Sequence, residues 1–305
     1  MDDCRRGRRA RRLIFPLVAI ATIGFPSLSF AQRFDSVGVR AQGLAGAFVA
    51  VADDSSATWW NPAGLATQQK FVDLSLEIAE RADRGVSLTF PSLGFSYYRL
   101  TVSQLQPSGP IGTGGSVRED SGVVSQFGAT VGHSITQPLV VATTVKLVNA
   151  RGDTQADLDV GVMGSFGPVR LGLAVRDLRN PTYGSGSDAL ALGRRARAGV
   201  SVAASSRGAL DRLVVAFDAD LNTAFAGGAD GHIEQDVTGG VETWWLGERL
   251  GLRGGAGRNV ATGGGSFGAF GVSVMPYPRL NIEGAMTKGS DFARDRWTLG
   301  LRVTF

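Results

Sequence analysis

From residue 296 to residue 305 the chain alternates without a break. Trp297, Leu299, Leu301, Val303 and Phe305 fall on one side, Arg296, Thr298, Gly300, Arg302 and Thr304 on the other. Successive side chains of an extended backbone point to opposite faces, so this stretch predicts a strand with one wholly apolar face. The same pattern, broken by turn residues, recurs over 70–79, 85–90, 93–100, 122–132, 139–149, 156–166, 169–177, 194–205, 211–221, 233–245, 249–257, 265–275 and 279–288. With 295–305 that makes about fourteen strands, an even number, most of them near the ~9–11 residues that a tilted membrane-crossing strand needs.

The connections sort themselves by length. Tight links are expected at 91–92, 133–138, 167–168, 206–210, 246–248 and 276–278, and longer ones between them, notably 101–121, 178–193 and 222–232. Short turns at one end and long loops at the other are the habit of outer-membrane barrels, whereas a soluble sandwich has no reason to sort its loops. Residues 85–100 admit two readings, one long strand kinked at Pro91 or a hairpin turning there; the hairpin preserves the alternation elsewhere. Phase follows from energy: in 211–221, Leu213, Val215, Phe217 and Ala219 share a face opposite Asp218 and Asp220. A basic side chain on the lipid face costs up to ~2–4 kcal/mol at the midplane and an acidic one somewhat less, so the apolar set faces out.

One stretch does not alternate. Residues 38–66 read GVRAQGLAGAFVAVADDSSATWWNPAGLA, with a small-residue run (Gly43, Ala45, Gly46, Ala47), an acidic turn at Asp53-Asp54-Ser55, and an Asn61-Pro62-Ala63-Gly64 stop. The Asn-Pro step drives Asn61 out of helical geometry and Gly64 permits a positive φ, so a compact knot of short helices and turns is expected. These residues resemble the N-terminal hatch of FadL-type outer-membrane transporters and their PorV/PorQ-like relatives, whose GxRAxGxGGAxVAxADDxxAxxxNPAGLA pattern is matched at Gly38, Arg40, Ala41, Gly43, Gly46, Ala47, Val49, Ala50, Ala52, Asp53, Asp54, Ala57 and residues 61–66. Ala45 departs from it, standing where relatives usually have a second Gly. The resemblance implies a plug inside a β-barrel, and either uptake of hydrophobic compounds or a secretion-accessory role.

Before the hatch, six arginines (Arg5, Arg6, Arg8, Arg9, Arg11, Arg12), an apolar run over 13–30 and Ser29-Phe30-Ala31 have the order of a cleaved leader. Three segments are therefore expected: a signal peptide over 1–31, the hatch over 32–69 and the barrel over 70–305. Those six arginines less Asp2 and Asp3 account for the whole net charge of +4, leaving a near-neutral mature chain and no basis for a nucleic-acid partner. The single cysteine, Cys4, departs with the leader, which suits an oxidising compartment without disulfides.

Candidate chemistry is sparse. Under the outward-apolar phase, Asp157, Asp159, Arg176, Arg195, Arg197, Asp218 and Asp220 point into the lumen near its extracellular end. They could be an ion-pair ladder bracing the wall, or a charged constriction selecting what enters. His133, expected in a periplasmic turn, and His232, in a loop at the opposite rim, make no metal site, and Asp53 and Asp54 lack calcium-loop spacing. The aspartates are expected to cap the turn that follows. Trp59 and Trp60 read as packing anchors; Tyr97, Tyr98, Trp244, Trp245, Tyr277 and Trp297, near strand ends, as interfacial girdles. No catalytic set, cofactor or metal site is predicted.

The sequence thus predicts an all-β fold, a transmembrane antiparallel barrel of about fourteen strands with an N-terminal plug, in the bacterial outer membrane. Its hatch motif is Gly43, Gly46, Asp53, Asp54, Asn61, Pro62, Ala63 and Gly64, and terminal Phe305 resembles the insertion signal read by the barrel-assembly machinery. Expected partners are outer-membrane lipid and either a small hydrophobic ligand, taken through a hatch-gated channel, or a secreted protein, held by a non-transporting PorV-like accessory through its long loops.

Overall fold

The computed structural model describes residues 37–67, 72–107, 117–185, 190–206, 208–225, 233–261, 264–290 and 294–305. The leader, Cys4, Gln69 and His232 lie outside them.

Fourteen antiparallel strands close into a barrel: β1 Asp73–Ala79, β2 Arg84–Phe90, β3 Leu93–Pro107, β4 Val117–Thr136, β5 Leu139–Ala150, β6 Asp153–Phe166, β7 Val169–Arg176, β8 Arg195–Ser205, β9 Leu210–Asp220, β10 Asp236–Trp245, β11 Leu250–Asn259, β12 Ser266–Tyr277, β13 Leu280–Gly289 and β14 Arg296–Thr304. Each pairs with its neighbour in sequence, and β1 closes on β14 in a register running from Asp73↔Thr304 to Ala79↔Thr298. Closure satisfies every strand's backbone and leaves no edge exposed, the condition for standing in hydrocarbon. No helix among the described residues is long and apolar enough to cross a membrane, so the crossing is made by strands.

Pro91 and Ser92 form a tight hairpin, with Phe90 opposite Leu93 and Ser92 at φ 65°, so β2 and β3 are separate strands. β3 and β4 continue well past the predicted 100 and 122, turning most of the expected 101–121 loop into paired strand. His133 is accordingly an exposed residue of β4 rather than of a turn. The 178–193 connection carries a small hairpin of its own, Thr182–Tyr183 against Leu190–Ala191.

The exterior is an apolar belt. Ile78, Phe95, Phe127, Val145, Leu171, Phe217, Phe270, Ile282 and Leu299, from nine different strands, are all exposed. A large apolar exterior on a closed, even-stranded barrel, with short turns at one end and long loops at the other, is the surface of an outer-membrane protein; the short turns mark the periplasmic end. Two of the six expected girdle aromatics face the other way. Tyr98 and Trp244 are buried inside, because each sits one residue out of phase with the lipid-facing set of its strand.

Candidate functional site

Residues 37–67 fill the barrel interior. They form two short helices, α1 Val39–Gly43 and α2 Ala57–Trp60, and a 3₁₀ segment Pro62–Thr67. α2 ends where the proline ring of Pro62 forces Asn61 into extended geometry, φ −155° and ψ 101°. The Asn61 side chain then ties the turn together: Oδ1 accepts from the Ala63 N–H at 3.1 Å, and Nδ2 donates to the Val49 carbonyl at 2.9 Å and to the Val162 carbonyl of β6 at 3.2 Å. Gly64 is required by close approach, since a Cβ there would stand 1.7 Å from the Ala52 carbonyl oxygen. Pro62 and Ala63 are buried beside it, Gly43 lies against Gly271 of β12, and Gly46 turns the chain at φ 80°.

The wall is cut to receive this knot. A Cβ on Gly161, Gly172, Gly240, Gly255 or Gly300 would approach hatch atoms of Asn61, Val49, Leu44, Leu44 and Val39 to between 2.1 and 2.8 Å. Glycines on five strands thus give the hatch its seat. Against them pack Leu44, Phe48, Trp59, Trp60 and Leu65, all buried. Trp59 meets Tyr98 edge-on at 5.3 Å, and the Trp60 indole N–H donates to the Val37 carbonyl at 2.7 Å.

Charge secures one side of the hatch. Arg40 Nε lies 2.6 Å from Glu242 of β10, Glu242 lies 2.7 Å from Arg253 of β11, Arg253 lies 3.5 Å from Glu283 of β13, Glu283 lies 3.5 Å from Arg302 of β14, Arg302 lies 3.3 Å from Asp54, and Asp54 lies 3.2 Å from Arg40. The pairs close into a loop of alternating sign that joins the hatch to four strands. Burial alone would lower the Arg40 pKa, but Glu242, Asp53 and Asp54 outweigh it and hold the guanidinium well above its ordinary value. Asp54 also accepts from the Ser56 N–H at 3.0 Å, closing the turn before α2, while Asp53 reaches Arg170 of β7 at 3.0 Å.

The seven predicted lumen residues are inside the barrel but do not make one ladder. Asp157 and Asp159 turn toward Lys146 of β5, whose ammonium is 2.6 Å from Asp159, 2.6 Å from Asp177 and 3.7 Å from Asp157. Arg197 and Arg195 pair with Asp220 at 2.8 Å and 3.4 Å. Asp218 instead accepts the backbone N–H groups of Phe48 and Val49 at 2.7 and 2.8 Å, and so belongs to the hatch seat. Arg176 lies over the Trp59 ring, 3.8 Å from its centroid. Lys146, Glu242, Arg253, Glu283 and Arg302 went unassigned from sequence. Each was legible as a charge at an inward position of a predicted strand, but its partner depends on register and on where the hatch lies.

Above the hatch the lumen changes character. Leu100 of β3 and Val124 of β4 point inward at the level of Val148 and Ala150, at the extracellular end of β5, and Tyr183, Leu190 and Leu192 of the 178–193 connection pack over them in one buried apolar cluster. Barrel interiors are usually polar, so an apolar patch on the inner wall is informative.

The chain matches no protein-family model and no curated protein. Its fold is similar to that of the CymD monoaromatic hydrocarbon channel (TM-score 0.60, 11% identity, 90% of this chain and 98% of that one). It is likewise similar to the Ralstonia pickettii toluene transporter TbuX (0.55, 10%, 88% and 97%) and to a Pseudomonas aeruginosa FadL homologue (0.54, 10%, 90% and 97%). The chain therefore shares the fold of these three structures, a FadL homologue among them: a closed barrel, here of fourteen strands, with its N-terminal segment packed inside.

Proposed function

We propose that the protein is an outer-membrane channel for small hydrophobic or amphipathic compounds, with residues 37–67 as its gate. The observation that carries this reading is a buried apolar cluster inside the lumen beside the seated hatch: inward Leu100, Val124 and Val148, covered by Leu190, would give an apolar solute a lining to leave water for once the covering segments shift. The hydrocarbon cargo of CymD and TbuX supports the same class of ligand. The seal lies on the axis of the barrel, so passage requires the hatch to shift. Deleting 33–69 is expected to raise the conductance of the reconstituted barrel, and binding of labelled apolar compounds to the intact protein is expected to saturate. A folded barrel that binds none of a broad panel, with conductance unchanged by the deletion, would overturn the reading.

One observation favours a second reading, a non-transporting accessory that docks a secreted protein on its extracellular loops. The buried ionic loop from Arg40 to Arg302 makes the hatch costly to move. Recovery of a secreted partner that is lost when the 178–193 segment is trimmed, together with absent ligand binding, is the outcome that selects it.

A further inference from the structure

The outward face of β2 reads Phe90, Leu88, Val86, Arg84 from the periplasmic turn upward, and that of β3 reads Leu93, Phe95, Tyr97, Arg99. Each strand presents apolar side chains to lipid for three positions and then an arginine. The two arginines are directly opposite in register, Arg84↔Arg99, and both are exposed. Among the described residues neither has an ion pair or a hydrogen bond. Lys288, an outward cation of β13, by contrast pairs with Asp295. Like charges facing each other across an antiparallel pair repel, so this pair is unfavourable as it stands unless an anion bridges it.

Its level on the barrel says which anion. From Arg99 the cross-strand row continues outward through Ser125, Asn149 and Thr154, all polar, whereas one position lower it runs through Val86, Tyr97, Phe127 and Leu147. Tyr97, exposed immediately below Arg99, has the apolar body and polar tip of an interface residue. Toward β1 and β14 the same row meets the exposed apolar Ile78 and Leu299, and Val123 stands one position above it on β4, so the arginines sit where the apolar belt gives way to polar residues, near the extracellular end and the outer-leaflet headgroups.

We propose that Arg84 and Arg99 form a clamp for a phosphate group of an outer-leaflet glycolipid. A planar guanidinium donates two parallel hydrogen bonds to phosphate oxygens, and two guanidinia converging from adjacent strands enclose one phosphate while its acyl chains lie along Val86, Phe95 and Leu88. The site is independent of what passes through the lumen.

The test uses the refolded full-length barrel and native mass spectrometry, with bis-phosphorylated lipid A, the same lipid stripped of both phosphates, and inorganic phosphate as a competitor. Wild type is expected to retain the phosphorylated lipid about tenfold more than Arg84→Gln/Arg99→Gln does, with Arg84→Lys/Arg99→Lys between them because a point charge lacks the fork. Removing the phosphates is expected to cost wild type the same factor and the double Gln variant nothing. Heat-modifiable gel mobility reports that each variant is folded, and the single Gln variants give the same reading should the double fail to fold. Equal retention by wild type and the Gln variants, or equal retention of the two lipids, overturns the proposal. Complete displacement of the lipid by millimolar inorganic phosphate also overturns it, by showing a free-anion site instead.

Discussion

Single atoms decide how tightly the hatch is held. Asn61 spends its whole amide on the turn and the wall, and Gly161 exists as a gap that the Asn61 oxygen fills, since a Cβ there would lie 2.1 Å from Oδ1. Asn61→Ala leaves the buried Val49 and Val162 carbonyls short of a donor and is expected to destabilise the hatch by ~1–3 kcal/mol, read as faster hydrogen exchange over 61–67 with the barrel strands unchanged. Gly161→Ala is expected to act in the opposite way chemically but with the same result. It overfills the seat at a cost of ~1–3 kcal/mol and exposes the hatch to protease while the folded barrel persists. Of this detail the sequence carried the motif. That Asn61 and Pro62 break a helix is local chemistry, whereas their fit against Gly161, a hundred residues away, is not.

Elements meet through the ionic loop. Glu242 sits between Arg40 of α1 and Arg253 of β11, so Glu242→Gln leaves two buried guanidinia without their shared carboxylate and is expected to cost ~3–5 kcal/mol, with the hatch melting before the barrel in a thermal scan followed by protease. Asp53 supplies a pH dependence at the same scale. Burial alone would raise its pKa, but Arg40, Arg170 and Arg212 outweigh that effect and hold it at about 2, below its ordinary 3.8. A depressed carboxylate contributes stability that is fully present above the unfolded value and is lost as pH falls through the folded one. The part of hatch protection that Asp53→Asn removes should therefore be constant from neutral pH down to 5 and disappear between about 4 and 2, an interval that hydrogen exchange of both proteins at several pH values covers. Protection lost already between pH 7 and 5 would point away from Asp53.

At the scale of the whole molecule the barrel is apolar toward lipid and charged toward the hatch. Phe217 lies on the outer surface in the extracellular half of β9, and Phe217→Arg is expected to cost up to ~2–4 kcal/mol in denaturant titration of the refolded barrel, against near zero for Phe217→Leu. The asymmetry of the interior follows from how charges are shared out: α1 is held by ion pairs to β10 and, through Asp54, to β14, whereas the Pro62–Thr67 segment meets β4, β5 and β6 chiefly through small and apolar groups such as Ala66 against Gly132. A hatch seated this way has a fixed side and a looser one.

By itself the sequence determined that the chain is built of about fourteen strands, the face each turns to lipid and the short-turn end, because a period-two pattern is local and a buried or lipid-facing charge is expensive wherever it falls; the structure settled the hairpin at Pro91 and the length of β3 and β4. It also determined that residues 38–66 are a separate knot, because Pro62 and Gly64 forbid continuation. Only the tertiary structure decided which charge meets which. Asp157 and Asp159 could have faced Arg176, but the β5–β6 register sets Lys146 opposite Asp157, and the hatch places Trp59 beneath Arg176. It also decided the departure of Asp218 from the wall to the hatch backbone, and the closing of six charges into a loop across five segments of chain. Pairing at a distance depends on register and on the seat of the plug, and neither has a signature in the neighbouring residues.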